Sequence, residues 1–419
     1  MELPKVALIE HSFDPQRIED IPAEMSRQLR VLRLQDRIRP GDTAAVTAGS
    51  RGVSNIGIIT KTIIDELKRV GARPFIFPSM GSHGGATAEG QIKVLEGYGI
   101  TESQMGCQIL STMEVAYLGD AEDGFPIYVD KYAMEADHIV VVNRIKPHTK
   151  FDGPIESGLM KMMAIGMGNQ TGARYYHQAA VRLTFQRILE TVGREVLRKC
   201  PVLCGVGIVE NGYDQTCLIK ALLPEEIPKG EETLLVIAKE RMARLPFHDI
   251  DVLVIDEIGK NISGTGMDIN VTGRNRDILG DYTTSPRVGR IFVRDLTGET
   301  EGNALGIGLA DFTATRVVEK MDRRKTYINC LTAVSPEKGA IPLYFDTDRE
   351  ALEACFTSIG DRAPQHVRLV HIKNTLLLSR LSVSQAFEGE ITANDNLRRL
   401  NEWETMALDT QGNIISPFD

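Results

Sequence analysis

Residues 143–177 read NRIKPHTKFDGPIESGLMKMMAIGMGNQTGARYYH and follow the apolar run Ile139–Val142. A β-branched run that breaks into a glycine-rich, cationic loop is the strand-to-loop junction at which α/β proteins place their chemistry. The stretch carries His148 and His177, the cationic side chains of Arg144, Lys146, Lys150 and Lys161, and glycines at 153, 158, 166, 168 and 172. The competing reading is a long surface connection with solvated charges. Loops of this length are usually functional or disordered, and this one is too apolar to be disordered.

Working outward, the upstream chain repeats the same grammar. Thr43–Thr47 reads as a strand ending at Ala48-Gly49-Ser50-Arg51-Gly52, and Ile56, Ile59, Ile63, Ile64, Leu67 and Val70 then recur at helical spacing. Arg73–Phe77 is a second strand, followed by Met80-Gly81-Ser82-His83-Gly84-Gly85 and a helix over about Thr87–Tyr98. Strand, glycine loop and helix in alternation predict an open, largely parallel sheet whose ligands sit beyond the carboxyl ends of its strands. Gly172–Cys200 reads as one long helix and Val202–Val209 as an apolar strand. A boundary falls near Leu245–Ile250, where the chain restarts with the strand Asp251–Ile255 and a second glycine-rich loop, GKNISGTGMD from Gly259 to Asp268. Arg290–Val293, Gly302–Leu309, Tyr327–Val334, Ile341–Phe345, an Ala351–Ser358 helix and Arg368–Ile372 complete a second α/β unit. The expected architecture is α/β: two α/β domains with largely parallel sheets, residues 1–247 and 248–419, and the active site in the cleft between them.

Composition narrows the function. A chain of 419 residues is too long for one ordinary core. The net charge of −9 lacks the basic face that nucleic acid requires. Six cysteines form no CxxC pair and read as reduced thiols. No apolar run approaches a membrane span, and the start MELPKVALIEHSFDP has no signal-peptide core. The expectation is a cytoplasmic protein that binds neither membrane nor nucleic acid.

Two histidines stand out. His83 lies among glycines after one strand, and His148 follows Pro147 after another. Imidazoles titrate near pH 6.5 and serve as acid or base at cellular pH. On one sheet edge they can face each other across a ligand, an arrangement suited to a carbon attacked from either face. Arg51, beside Ser50 on the same edge, offers a fork for a carboxylate. Lys146, Lys150 and Lys161 offer phosphate contacts or a covalent link. No GxxxxGK[ST], HExxH or GxSxG motif occurs, so ordinary nucleotide and zinc-protease sites are not supported. Residue type and spacing stop at an α/β enzyme with a cation-rich, two-histidine site.

The loops SRG (50–52), MGSHGG (80–85) and NRIKPHTKFDGPIESGLMK (143–161) resemble the nickel-pincer lactate racemase family, and GKNISGTGMDINVTGR (259–274) resembles its second domain. The resemblance implies a 2-hydroxyacid racemase or epimerase. It would work by reversible hydride transfer to a nickel-pincer nucleotide, a pyridinium mononucleotide whose sulfur groups chelate nickel. Transient contact with the enzymes that make that cofactor is also implied. Lys161 is implied as the attachment lysine through Ser157-Gly158-Leu159-Met160-Lys161, with Lys150 as a rival. His177, sixteen residues on, is implied as the nickel ligand, His83 and His148 as the acid/base pair, and Arg51 with Ser50 at the substrate carboxylate. Lys146, Lys150, Ser157 and Gly158 fall around the implied cofactor, and Lys260 and Arg274 are the cationic candidates for substrate in the second domain. Gly84 stands where the lactate enzyme has an arginine, so a larger or more polar 2-hydroxy acid is as good a substrate as lactate. The alternatives are a cofactor-independent lyase or dehydratase, betrayed by solvent deuterium at C2, and a non-catalytic protein that binds a sugar acid or a nucleotide, indifferent to loss of His83 or His148.

Overall fold

The computed structural model describes residues 2–50, 52–277, 282–283 and 285–418. The chain forms two compact units, one of residues 14–242 and one of residues 1–13 with 243–419. Both are α/β with mostly parallel sheets, as the sequence predicts.

In the unit of residues 14–242 the strand order is Arg73–Pro78, Thr43–Ala48, His138–Arg144, Val202–Glu210, Thr216–Leu222. The first four are parallel and the last is an antiparallel edge. The central strands are buried along almost their whole length, which is why they read as continuous apolar runs rather than alternating ones. Leu29, Ile59, Ile63, Leu67 and Leu95 fill one side of the sheet with Val46, Val140 and Val206. The Ile227–Arg241 helix and the turn at Leu159–Lys161 pack against the strand Val202–Glu210.

Strand order decides where a ligand belongs. From Thr43–Ala48 the chain moves to Arg73–Pro78 on one side, and from the neighbouring His138–Arg144 it moves to Val202–Glu210 on the other. The crevice beyond the carboxyl ends of those two neighbours is the topological switch point, where open α/β sheets bind ligands. The loops that start at Gly49 and Ile145 flank it.

The structure differs from the sequence reading in the place of the first strand, the unit boundary and the long helix. The strand Lys5–His11 does not open the first unit. Its alternate residues Ala7, Ile9 and His11 are buried, and it pairs antiparallel with Arg380–Ser384 on one side and Leu397–Arg399 on the other, inside the second sheet. The units accordingly divide at Met242/Ala243 and not at 247/248. The long helix expected over 172–200 is two helices, Asn169–Leu183 and Phe185–Lys199. Thr184 breaks it with a φ of 83°, and its hydroxyl accepts the Arg187 N–H to cap the second helix. Tyr327–Val334 lies mostly in the helix Arg323–Thr332, which Asp322 caps through the Lys325 N–H, although its composition is β-rich. Gly302–Leu309 is turns and a short 3-10 segment.

The second sheet runs Leu343–Phe345, Phe312–Ala314, Arg287–Leu296, Asp249–Ile258, Leu369–Ile372, all parallel, and continues antiparallel through Arg380–Ser384, Lys5–His11 and Leu397–Arg399. All six cysteines are free thiols. Among the described residues no helix is long and apolar enough to cross a membrane.

Candidate active site

Three loops leave the carboxyl edge of three adjacent strands in the unit of residues 14–242. The first carries Ser50, whose carbonyl accepts the Tyr98 hydroxyl at 2.7 Å. The Ser50 side chain reaches the second loop and shares a short hydrogen bond with Nδ1 of His83. The neighbouring strands Thr43–Ala48 and Arg73–Pro78 set this contact, since Ala48 and Pro78 are register partners. Arg51, the expected carboxylate clamp, lies outside the described residues.

The His83 loop is seated on the turn that follows Lys161. Gly81 has a φ of +60°, and its N–H donates to the Gly166 carbonyl at 3.2 Å. A Cβ there would stand 3.1 Å from the Ile165 carbonyl oxygen, so glycine lets the backbones approach. From residue 158 to 168 only Lys161 and Ile165 are part-exposed, and every other residue is buried. Met160, Met162, Met163 and Met167 form the soft apolar bed beneath. Lys161 is therefore a part-exposed lysine on a turn whose neighbours are buried.

A carboxyl group lies behind that turn. Glu231 is fully buried, and one of its oxygens accepts the Met160 N–H at 2.8 Å. Its other oxygen has no hydrogen-bond partner among the described residues. A Cβ on Gly158 would fall 2.3 Å from it, so only glycine fits before Leu159. Burial pushes the Glu231 carboxyl up to about 7, against the pull of the Met160 and Leu159 backbone N–H groups.

The third loop closes on itself. Lys146 and Ser157 exchange backbone hydrogen bonds of 2.8 and 3.2 Å across its neck. Between them, Glu156 is almost fully buried and accepts the His148 N–H at 2.6 Å and the Gly153 N–H at 3.1 Å. Lys239, from the Ile227–Arg241 helix, pairs with Glu156 and Asp152 at 2.5 Å each. The Lys150 N–H donates to Nδ1 of His148 at 3.0 Å. The His148 ring lies against Phe151, with centroids 4.5 Å apart, and stacks at 6.1 Å on Phe185. The His177 ring meets the same Phe185 edge-on at 4.9 Å. The Lys150 ammonium, largely buried, stands 5.8 Å from that ring. Thus Phe185 gathers His148, His177 and Lys150, and it can do so because Thr184 interrupts the helix just before it.

The unit of residues 243–419 supplies the other two expected cations. The Lys260 ammonium donates to the Gly264 carbonyl of its own loop at 2.7 Å. Arg274 pairs with Asp311 and donates to the carbonyls of Val288 and Gly289 at 2.8 and 3.0 Å.

Sequence reasoning missed Glu156, Glu231, Lys239 and Phe185. Glu231 was the readable one, since it falls on the buried stripe of Ile227, Leu234, Leu235 and Ala238.

This is an open parallel sheet with a histidine-bearing carboxyl edge and a lysine on a buried turn beside it. Residues 11–186 match the model of the lactate racemase N-terminal domain family. No curated protein sequence matches this chain. Two solved structures share the fold. A structural-genomics protein from Thermotoga maritima aligns with a TM-score of 0.51 at 14% identity, over 86% of this chain and 97% of its own. The lactate racemase apoprotein from Thermoanaerobacterium thermosaccharolyticum aligns with a TM-score of 0.51 at 14% identity, over 84% of this chain and 91% of its own.

Proposed function

We propose that this protein is an isomerase that inverts C2 of a 2-hydroxy acid, with His83 and His148 handling the hydroxyl proton and Lys161 and His177 holding a nickel-pincer nucleotide. The observations that support the reading are two sets of contacts in one unit: the Ser50–His83 pair lies on a loop seated against the turn after Lys161, and Phe185 packs against both His148 and His177. The residues suit such a cofactor. Among the described residues no three His, Cys, Asp or Glu side chains gather to cage a metal. A metal that arrives with its own carbon and sulfur donors needs from the chain only one imidazole and one amine. When bound, the nucleotide would supply a reversible acceptor for the C2 hydride.

The chain's residues do the rest. His83 takes the hydroxyl proton at Nε2, and the Ser50 hydroxyl, able to rotate between donor and acceptor, follows the change at Nδ1. Loss of that proton and of the C2 hydride leaves a planar 2-keto acid. Return of both, with the hydride entering the other face, inverts the centre. Arg51 is assigned to the substrate carboxylate, and Lys146 and Ser157 to the neck of the loop beside the cofactor. The cofactor-synthesis enzymes are the expected transient partners.

The test is a panel of chiral lactate, malate and sugar-acid substrates, incubated with cofactor-loaded protein and followed by polarimetry. Racemisation of at least one, with retention of the C2 deuterium label, is the expected result. His83→Ala should lower kcat by about 10^3-fold, the usual worth of a positioned acid/base group. Wash-out of the C2 label into solvent would replace hydride transfer with carbanion chemistry. Ser50→Ala should cost about tenfold in kcat, because His83 keeps its loop but loses its orienting partner. An unchanged pH–rate profile in that variant would show that the short contact has no functional part.

A further inference from the structure

One helix grips two of the loops that carry candidate residues. Ile227–Arg241 packs along the strand Val202–Glu210, and glycines on that strand let it lie close. A Cβ at Gly205 would stand 2.7 Å from Leu159 Cδ1 and 3.0 Å from Ile227 Cδ1, and one at Gly207 would stand 2.8 Å from Leu234 Cδ1. From this seat the helix extends two charged side chains about two turns, roughly 12 Å, apart along its axis. The first is Glu231, fully buried, which accepts the Met160 N–H at 2.8 Å and also draws the Leu159 N–H. These amides open the turn that carries Lys161, so the carboxyl group caps that turn from a neighbouring helix. Asn143 holds the Gly158 carbonyl just before it at 2.7 Å. The second is Lys239, which pairs at 2.5 Å with the almost fully buried Glu156. Glu156 in turn accepts the His148 and Gly153 N–H groups. Burial alone would favour the neutral acid there, and the Lys239 ammonium opposes it.

We propose that the Ile227–Arg241 helix is the positioning element of the site, with Glu231 fixing the turn that carries Lys161 and the Lys239–Glu156 pair fixing the loop that carries His148. The roles of Lys161 and His148 rest on the racemase reading, and the two anchors rest on the contacts alone. Glu231, Lys239 and Glu156 all act through another residue. The two anchors serve different groups, so their losses are separable. Release of the first loosens the attachment lysine and leaves the imidazole in place. Release of the second does the opposite, and a reacting group displaced by about 1 Å costs on the order of 10^2-fold in rate.

The experiment has two arms. The first uses the protein without substrate or cofactor and follows hydrogen–deuterium exchange in the segments 146–157 and 158–168. Lys239→Met should raise exchange at His148 and Gly153 by about tenfold and leave 158–168 near the parent, and Glu231→Leu should do the reverse. Lys239→Arg keeps the charge and Glu231→Gln keeps an acceptor for Met160, so both should stay within about twofold of the parent. Should Glu231→Leu not fold, Glu231→Asp, one methylene short of the Met160 amide, should give the same local rise. Exchange that rises evenly in both segments, or in neither, overturns the proposal.

The second arm uses protein made with the cofactor pathway and reads adduct by intact mass beside kcat and KM. Lys239→Met should keep the full adduct and lose about 10- to 100-fold in kcat with KM near the parent value, and Lys239→Arg should recover most of the loss. Glu231→Leu should carry less adduct, while turnover per adduct-bearing chain stays near the parent. Adduct and kcat falling together in both variants would reduce the helix to a general support and overturn the proposal. If the loaded parent turns over no 2-hydroxy acid, the racemase reading fails, and the exchange arm still decides whether the two anchors exist.

Discussion

Replacing Lys161 by alanine or arginine should return turnover to the uncatalysed rate, a loss of about 10^6-fold or more on the usual scale of enzymic acceleration. Intact-protein mass spectrometry of protein made with the cofactor pathway should at the same time show no adduct. The argument is geometrical. Lys161 leaves a turn whose flanking residues are all buried, so its Cα is held still while its side chain reaches out. Arginine keeps the positive charge but cannot form an amide-type bond, so charge alone will not rescue it. The rival, Lys150, is buried against Phe185, and its backbone is already occupied with His148. Lys150→Ala should therefore keep the adduct and weaken the site by lost packing. An adduct that survives Lys161→Ala and vanishes in Lys150→Ala would reverse the two assignments.

The architecture was legible where the sequence repeats one local pattern. The strands Thr43–Ala48, Arg73–Pro78 and His138–Arg144 announce themselves as buried apolar runs, and glycine loops mark their carboxyl ends. Because parallel neighbours share an edge, reading Ser50, His83 and His148 as strand-end residues was enough to place them on one side of a sheet. Pairing partners distant in sequence were not legible. Nothing local to Lys5–His11 says that its neighbours are Arg380–Ser384 and Leu397–Arg399, so the first strand was assigned to the wrong unit. Periodicity also ran straight through Thr184, because both helices keep an apolar stripe on either side of it, and the break that delivers Phe185 to the histidines was invisible. The carboxylates that set the loops were hidden for a different reason. Glu231 lies on the apolar stripe of its helix, Glu156 lies in a loop with no periodicity to read, and only the tertiary fold shows that each accepts backbone N–H groups.

Glu231→Gln should stabilise the protein at alkaline pH and leave it nearly unchanged in acid. The folded-state carboxyl titrates near 7, raised by burial from an ordinary value of 4.5. Below about pH 4.5 both folded and unfolded chains hold the proton, and the group contributes no pH dependence. As pH rises through the window from about 4.5 to about 7, the unfolded chain releases the proton and the folded chain retains it, so folding loses stability with increasing pH. Above that window the full difference applies, about 3 kcal/mol at 1.36 kcal/mol per unit. Glutamine cannot ionise, and its carbonyl can still accept the Met160 N–H. Urea midpoints measured at about pH 5 and pH 8 should hence converge in the variant and diverge in the parent, with the gain appearing at pH 8 only. A parent protein equally stable at both values would mean that the carboxyl is not desolvated. A variant less stable at both would mean that the carboxylate form is needed to cap the turn before Lys161. The same group explains why glycine precedes that turn: the unpartnered Glu231 oxygen occupies the space that a Cβ at 158 would take. Gly158→Ala should accordingly destabilise at every pH, and the pair of variants separates a steric cost from an electrostatic one at the base of Lys161.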